Sequence, residues 1–223
     1  KLKVLKSLKP FTPESVARDV VRGQYKAGTV DGKPVPGYLD EQKVQSDSRC
    51  ETFVALRTEV QNWRWAGVPF YLRTGKRLAG REAHIVVNFR GVPHPIFPGA
   101  NRANKLVIKL QPEDGLELHL LAAKGSGPSE LLAPVSLDLD FDKAFPTERV
   151  GGYERLLLDA IAGRLNLFVR SDEQEQAWRW VEPVLNAWKR DATGPRPYSA
   201  GTWGPAAASA LVARDGYAWS EEQ

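Results

Sequence analysis

The sequence is poor in the residues from which disulfide frameworks and most metal centres are built. Its 223 residues include one cysteine, Cys50, and three histidines that are scattered along the chain. A single cysteine excludes an internal disulfide framework and favours a reducing compartment. We therefore expect a cytoplasmic protein without a metal centre.

Long apolar runs and methionine are missing as well. No run approaches the ~20 apolar residues of a membrane span, and no signal-peptide pattern is present. Because the sequence has no methionine, we expect either a processed start or the later part of a longer chain. A glycine-rich dinucleotide-binding turn is also absent, since Gly125-Ser126-Gly127 lacks the third glycine and precedes Pro128. These absences predict no membrane partner and no nucleotide-binding domain within the sequence.

The composition is that of an ordinary soluble globular protein, with 42% hydrophobic and 26% charged residues. A chain of this length fits one large domain or two small ones. The net charge of +4 suits an anionic substrate but is too diffuse to predict nucleic-acid binding. We expect a small anionic ligand rather than a nucleic acid.

Alternation of apolar and polar residues dominates the middle of the sequence. The segments that share it are 52–60, 85–89, 106–110, 116–120 and 137–141. Short, turn-rich links between them predict a largely antiparallel sheet. Residues 111–115 are predicted to connect a hairpin, with Gly115 available for a positive φ. Residues 28–37, with two prolines and three glycines, are predicted to form a loop.

Helical spacing of apolar residues appears near the start and again in the last third. Thr12-Pro13 predicts a capped helix start, Gly163 a helix end, and residues 171–174 a capping box. Each predicted helix has one apolar side. The fold class is therefore predicted to be α+β, with a large, mostly antiparallel sheet and helices packed on one face. The opposite, charged face is predicted either to be solvated or to mediate self-association.

The stretch from Trp63 to Arg81 combines aromatic residues with five cations, four of which lie between Arg73 and Arg81. It predicts a short strand from Phe70 to Lys76, a tight turn, and a second strand from Glu82 to Arg90. Lys76 and Arg81 then lie on either side of the turn, where both can point at one anion. The alternative is that these cations are solvated charges at a sheet edge.

The string that ends at Lys76, Asn-Trp-Arg-Trp-Ala-Gly-Val-Pro-Phe-Tyr-Leu-Arg-Thr-Gly-Lys, closely resembles the C-terminal domain of the glucose-6-phosphate dehydrogenase family. Further matching motifs follow in the family's order: 21–25, 37–39, 106–112, 153–159, 170–173 and 203–205. The resemblance covers nearly the whole chain. It implies that residues 1–223 form a C-terminal substrate-binding and oligomerisation domain.

That resemblance implies an enzyme of the pentose phosphate pathway, which oxidises D-glucose 6-phosphate to 6-phosphogluconolactone with NADP. In the family, the nucleotide-binding domain and the catalytic histidine come first, and none of those motifs is in this chain. We therefore expect the chain alone to be inactive, and its assembly to be a homodimer or homotetramer through the sheet. The substrate-binding residues implied by the match are Lys76, Arg81 and Gln111.

Some family members also hold a second, structural NADP on this domain. Arg73 and Lys109 match basic positions of that site, but Glu82 and Val86 stand where NADP-binding members carry Lys and Arg. Independently of the resemblance, an alternative function is a non-catalytic self-association module with an anion-binding hairpin. Such a module would take sulfate or polyphosphate at Lys76 and Arg81 as readily as a sugar phosphate.

Overall fold

The computed structural model describes residues 1–91, 94, 104–123, 132–144 and 151–222. The helices are Leu2–Lys6 (α1), Pro13–Asp19 (α2), Phe141–Ala144 (α3), Gly152–Ile161 (α4), Ser171–Arg190 (α5) and Ala206–Ala213 (α6). The strands are Val20–Lys26 (β1), Gly28–Val30 (β2), Lys33–Val35 (β3), Phe53–Glu59 (β4), Pro69–Gly75 (β5), Ala83–Asn88 (β6), Lys105–Gln111 (β7), Gly115–Ala123 (β8), Leu132–Asp140 (β9) and Arg196–Ser199 (β10). The predicted α+β class is confirmed.

The chain divides into two compact units. The first combines Lys1–Gly80 with Asp159–Gln223, and the second is Arg81–Leu158. The described strands form a four-stranded sheet in each unit, with β2 and β3 as a separate ribbon. The described strands thus form two such sheets where the sequence predicts one large sheet. Alternation of apolar and polar residues predicts strands but does not show which strands pair.

The sheet of the first unit has the order β10-β1-β4-β5. β4 pairs antiparallel with β1 and β5, and β1 pairs parallel with β10. Phe53 and Ala55 pack with Ala208 and Leu211 of α6. Leu56, whose side chain alternates to the other face, packs against residues of α2 and α5. Helices therefore cover both faces of this sheet, rather than the one face that the sequence predicts.

Local chemistry explains where α2 and α5 of the first unit begin. The backbone N–H of Ser15 donates to Thr12 Oγ1 at 3.3 Å, and the N–H of Thr12 donates to Ser15 Oγ at 2.8 Å. The N–H of Arg170 donates to Glu173 Oε2 at 3.2 Å, so the capping residues of α5 are Arg170 and Glu173 rather than the predicted 171–174. These bonds satisfy N–H groups that a helix start leaves unpaired. In the described part of the chain, every helix is too short or too polar to cross a membrane.

Residues 28–37 contain a β-ribbon, so the predicted loop is wrong. β2 and β3 pair antiparallel around Asp31 and Gly32, whose φ angles are 49° and 75°. Two successive positive φ angles are typical of the tight hairpin turn that Asp-Gly favours. The two prolines and three glycines obscured this signal in the sequence.

The sheet of the second unit has the order β6-β7-β8-β9 and is antiparallel throughout. The predicted hairpin connection at residues 111–115 is confirmed. Gly115, however, does not have a positive φ. A Cβ at this position would lie 2.8 Å from the carbonyl oxygen of Leu139 on β9. Close approach of the neighbouring strand, rather than turn conformation, therefore explains the glycine.

One face of this second sheet is apolar and remains half exposed. Register aligns Leu118 with Leu137 and Leu116 with Leu139. Leu137 is 57% exposed and Ile85 is 50% exposed. In the part of the chain described here, the predicted helical cover is not observed over these side chains.

Candidate functional site

Lys76 is an exposed cation in the first unit, immediately after β5. Its backbone is firmly held. The N–H donates to the carbonyl of Thr52 at 2.8 Å, and its own carbonyl accepts from the hydroxyl of Tyr198 at 2.6 Å. The side chain therefore projects from a fixed backbone, as a ligand-binding cation requires.

The chain beyond Lys76 does not turn back into a hairpin, so that prediction is wrong. β5 pairs with β4, whereas β6 pairs with β7. The carbonyl of Arg77 accepts from the N–H of Gly201 at 2.8 Å, and the N–H of Ala79 donates to Thr202 at 3.2 Å. These bonds direct residues 76–80 along the segment after β10. Pairing between segments more than 120 residues apart is not visible in a local sequence pattern.

Arg77, the cation that follows Lys76, is already paired within the chain. Its guanidinium lies 3.1 Å from Glu41, and this contact lowers the pKa of the Glu41 carboxyl and raises the pKa of Arg77. Glu41 also accepts a hydrogen bond from the hydroxyl of Tyr25 at 3.0 Å. Glu41 thus neutralises Arg77 and leaves the charge of Lys76 available for a ligand.

Arg81 and Gln111 lie in the second unit, and both are exposed. Gln111 ends β7 and faces Ala83, the first residue of β6, across the ladder. Because Arg81 precedes Ala83 by two residues, the structure brings Arg81 and Gln111 to the same end of this strand pair. An exposed guanidinium and an exposed amide at one strand end can bind an anion and a hydroxyl.

Arg73 on β5 is not available in the way that Lys76 is. Its side chain is 9% exposed and forms an ion pair with Glu221, which is 12% exposed. The guanidinium also lies over the rings of Trp219, at 4.4 Å, and Trp203, at 5.3 Å. Arg73 is therefore enclosed by residues of the chain's own C-terminal segment.

Lys109 on β7 is likewise engaged. It forms an ion pair with Glu117 on β8, which raises the pKa of Lys109 and lowers that of Glu117. His119 lies 3.3 Å from the same carboxylate. Asp140, on the adjacent strand, accepts from the N–H groups of Asp142 and Lys143 and so caps α3. Among the described residues, no cluster of His, Cys, Asp and Glu could hold a metal ion.

A surface cavity of about 380 Å³ lies at residues 59–67, beside the fully exposed Trp63. The β4–β5 ladder runs from Phe53 opposite Gly75 to Glu59 opposite Pro69. The cavity is therefore at the opposite end of this strand pair from Lys76. The cavity therefore does not coincide with Lys76, and the exposed cations rather than a concave surface indicate the candidate site.

Sequence reasoning missed the residues that support the cation at Lys76. Tyr198 lies 122 residues away along the chain, and Glu41 lies 36 residues from Arg77. Neither belongs to a motif around the cation, and no local spacing indicates them.

Comparison with known proteins relates the whole chain to one family. A sequence profile described as glucose-6-phosphate dehydrogenase, C-terminal domain, matches residues 1–220. The glucose-6-phosphate 1-dehydrogenase of Rhizobium meliloti is 50% identical over 99% of this chain and 45% of its own length. That of Mycolicibacterium smegmatis is 48% identical over 98% of this chain and 44% of its own length. The chain thus spans about half the length of these relatives.

Solved structures agree. One described as glucose-6-phosphate dehydrogenase in complex with its substrate glucose-6-phosphate matches with a TM-score of 0.85 and 33% identity, over 98% of this chain and 44% of the other. The enzyme of Mycobacterium avium matches with a TM-score of 0.78 and 35% identity, over 99% of this chain and 43% of the other.

Proposed function

Because the chain belongs to the family of the glucose-6-phosphate dehydrogenase C-terminal domain, we propose that it is the later part of an enzyme that oxidises D-glucose 6-phosphate to 6-phosphogluconolactone with NADP. The match over residues 1–220 carries this proposal. The likeness to a structure described with glucose-6-phosphate bound adds support for the substrate. The pentose phosphate pathway and the cytoplasm are the corresponding setting.

In the proposed enzyme, this chain contributes the groups that hold the sugar phosphate. Lys76 supplies a point charge and Arg81 a planar set of donors for phosphate oxygens. Gln111 supplies a neutral amide for a sugar hydroxyl. Their surface exposure supports these roles. The residues orient the substrate, while the preceding half of the longer protein supplies the histidine base and binds the nucleotide, which accepts a hydride.

We infer that Arg73 and Lys109 do not hold a structural NADP in this chain. Arg73 is nearly enclosed and paired with Glu221, and Lys109 is paired with Glu117. Glu82 and Val86, which stand where NADP-binding family members carry Lys and Arg, supply no cation. A polyanionic nucleotide needs cations whose charge is not already neutralised, so these residues do not fit that ligand.

Self-association through the β6–β9 sheet, as a homodimer or homotetramer, is the assembly that we propose. Half-exposed leucine and isoleucine side chains on its apolar face support it. Contiguous apolar surface of this kind is typical of a protein interface.

The alternative, a self-association module with an anion-binding hairpin, has less support, since β5 and β6 do not form that hairpin. An assay of NADP reduction decides between the two. We expect the longest natural form to oxidise glucose 6-phosphate and the 223-residue chain to be inert. If the longest natural form is inert, the proposed enzyme function is wrong. If the isolated 223-residue chain is active, the proposed assignment of the catalytic groups to the preceding half of the protein is wrong.

A further inference from the structure

The carbonyl of Lys76 is bonded to a buried hydroxyl. Tyr198 is 5% exposed, and its Oη lies 2.6 Å from the carbonyl oxygen of Lys76. The same Oη lies 3.1 Å from Oγ1 and 3.3 Å from the carbonyl oxygen of Thr52. Since the N–H of Lys76 also donates to that Thr52 carbonyl at 2.8 Å, both backbone groups of Lys76 are tied to one buried cluster.

The next residue has a backbone conformation that the chain must enforce. Arg77 has a φ of 52°, in the left-handed region that residues other than glycine rarely adopt. Its carbonyl accepts from Gly201 at 2.8 Å, and its guanidinium contacts Glu41 at 3.1 Å. Backbone strain of this kind persists where surrounding contacts over-determine it, and it clusters at ligand sites.

We propose that Tyr198 is a positioning residue for Lys76, with the Glu41–Arg77 ion pair as a second support. The Tyr198 hydroxyl fixes the peptide that follows Lys76, and Glu41 fixes the side chain of Arg77. Together they set the direction in which the ammonium group leaves the backbone. This inference rests on the proposed role of Lys76 in binding the sugar phosphate.

Tyr198→Phe tests the proposal because it removes the hydroxyl and keeps the ring in the core. In the longest natural form, we expect the KM for glucose 6-phosphate and the inhibition constant of inorganic phosphate to rise about fivefold, from the loss of one hydrogen bond. The KM for NADP and kcat should change by less than about twofold, because a positioning effect on one phosphate leaves the other steps intact.

Tyr71→Phe is the matched control. Its hydroxyl contacts Asp215 in the same unit and touches neither Lys76 nor Tyr198. We expect no rise in either constant for this variant. Equal effects of the two Tyr→Phe changes would overturn the positioning role, since a general loss of stability would then explain both.

Glu41→Gln gives an independent reading if Tyr198→Phe fails to fold, because the Glu41 side chain is 29% exposed. It leaves the Arg77 guanidinium without its counter-charge, yet it should raise the same two constants, because Arg77 is then no longer held beside Lys76. Unchanged or lowered constants would overturn the role of the ion pair. Lys76→Ala separates this inference from its premise. If Lys76→Ala raises both constants while Tyr198→Phe does not, only the positioning role fails. If Lys76→Ala also has no effect, the proposed function of Lys76 fails with it.

Discussion

At the scale of single residues, Arg22 shows how the first unit accommodates a buried charge. It is 7% exposed, lies 5.6 Å from the ring of Trp188, and bonds Asp191 Oδ2 at 2.9 Å. Asp191 also accepts from the hydroxyl of Thr193 at 2.7 Å and its N–H at 2.9 Å. Thr193 first, and Arg22 after it, hold the pKa of Asp191 at about 2.

Asp191→Asn should therefore destabilise the chain in a pH-dependent way. The folded-state pKa lies below the ordinary value, so the stabilisation is present above about pH 4 and is lost towards pH 2. We expect a loss of only about 1 to 2 kcal/mol at pH 7, because the buried Arg22 loses its charged partner while solvent screens the Asp191 side chain, which is 36% exposed. Urea unfolding at several pH values measures it. A difference between wild type and variant that stays constant down to pH 2 would contradict this account.

At the scale of elements, the segment after α6 (residues 214–222) is attached to β5 by an ion pair from which solvent is largely excluded. Arg73 and Glu221 have side chains that are 9% and 12% exposed. Burial raises the pKa of the Glu221 carboxyl, but the hydrogen bond from the Arg73 guanidinium lowers it. The overall result is a lowered pKa of Glu221. The N–H of the Trp219 indole donates to the carbonyl of Ala208 at 3.0 Å and holds the segment from the other side.

Glu221→Gln should lower the free energy of unfolding by about 2 kcal/mol, since it leaves a buried guanidinium without its counter-charge. Glu175→Gln is the matched control, because Glu175 and Arg179 form a pair at 3.5 Å whose side chains are 69% and 71% exposed. That control should cost less than about 0.5 kcal/mol. Equal losses of unfolding free energy in the two variants, measured with urea, would show that the buried Arg73 does not need the charge of Glu221.

Elements with a local chemical cause could be predicted from the sequence, and those set by distant contacts could not. The start of α2 follows from Thr12 and Pro13, which are adjacent in the chain. The β2–β3 ribbon could have been found from Asp31-Gly32. In contrast, the partner of β5 depends on contacts between segments that are distant in sequence, and local periodicity predicts a hairpin there that does not form.

The residues of the candidate site also fall into those that the sequence indicates and those that depend on distant contacts. The strand-and-turn pattern singles out Lys76 and Arg81 as anion-binding candidates, whereas Gln111 and the substrate-binding roles of all three residues come only from the family resemblance. The structure adds that Gln111 faces Ala83 across a ladder, which brings Arg81 to the same strand end. Tyr198 and Glu41 have no sequence signal, because each acts through a hydrogen bond or ion pair to a remote segment.

At the scale of the whole molecule, the two faces of the β6–β9 sheet make different predictions about assembly. Leu137 belongs to the apolar face and is 57% exposed, whereas Asp138 points to the opposite, charged face. We expect Leu137→Lys to weaken the proposed self-association at least about tenfold, because it places a charge on the apolar face. Asp138→Lys should leave it nearly unchanged. Sedimentation velocity of the longest natural form over a concentration series measures both, and the reverse result would assign the interface to the charged face.

The central proposal is that Lys76 and Arg81 hold the phosphate of the substrate. The most direct measurement is steady-state kinetics on the longest natural form with Lys76→Ala and Arg81→Ala. Lys33→Ala and Arg90→Ala are exposed, matched controls. Each site variant should raise the KM for glucose 6-phosphate and the inhibition constant of inorganic phosphate at least about tenfold, as for one charge-assisted contact, while the controls change neither. Site variants that behave like the controls would contradict the account.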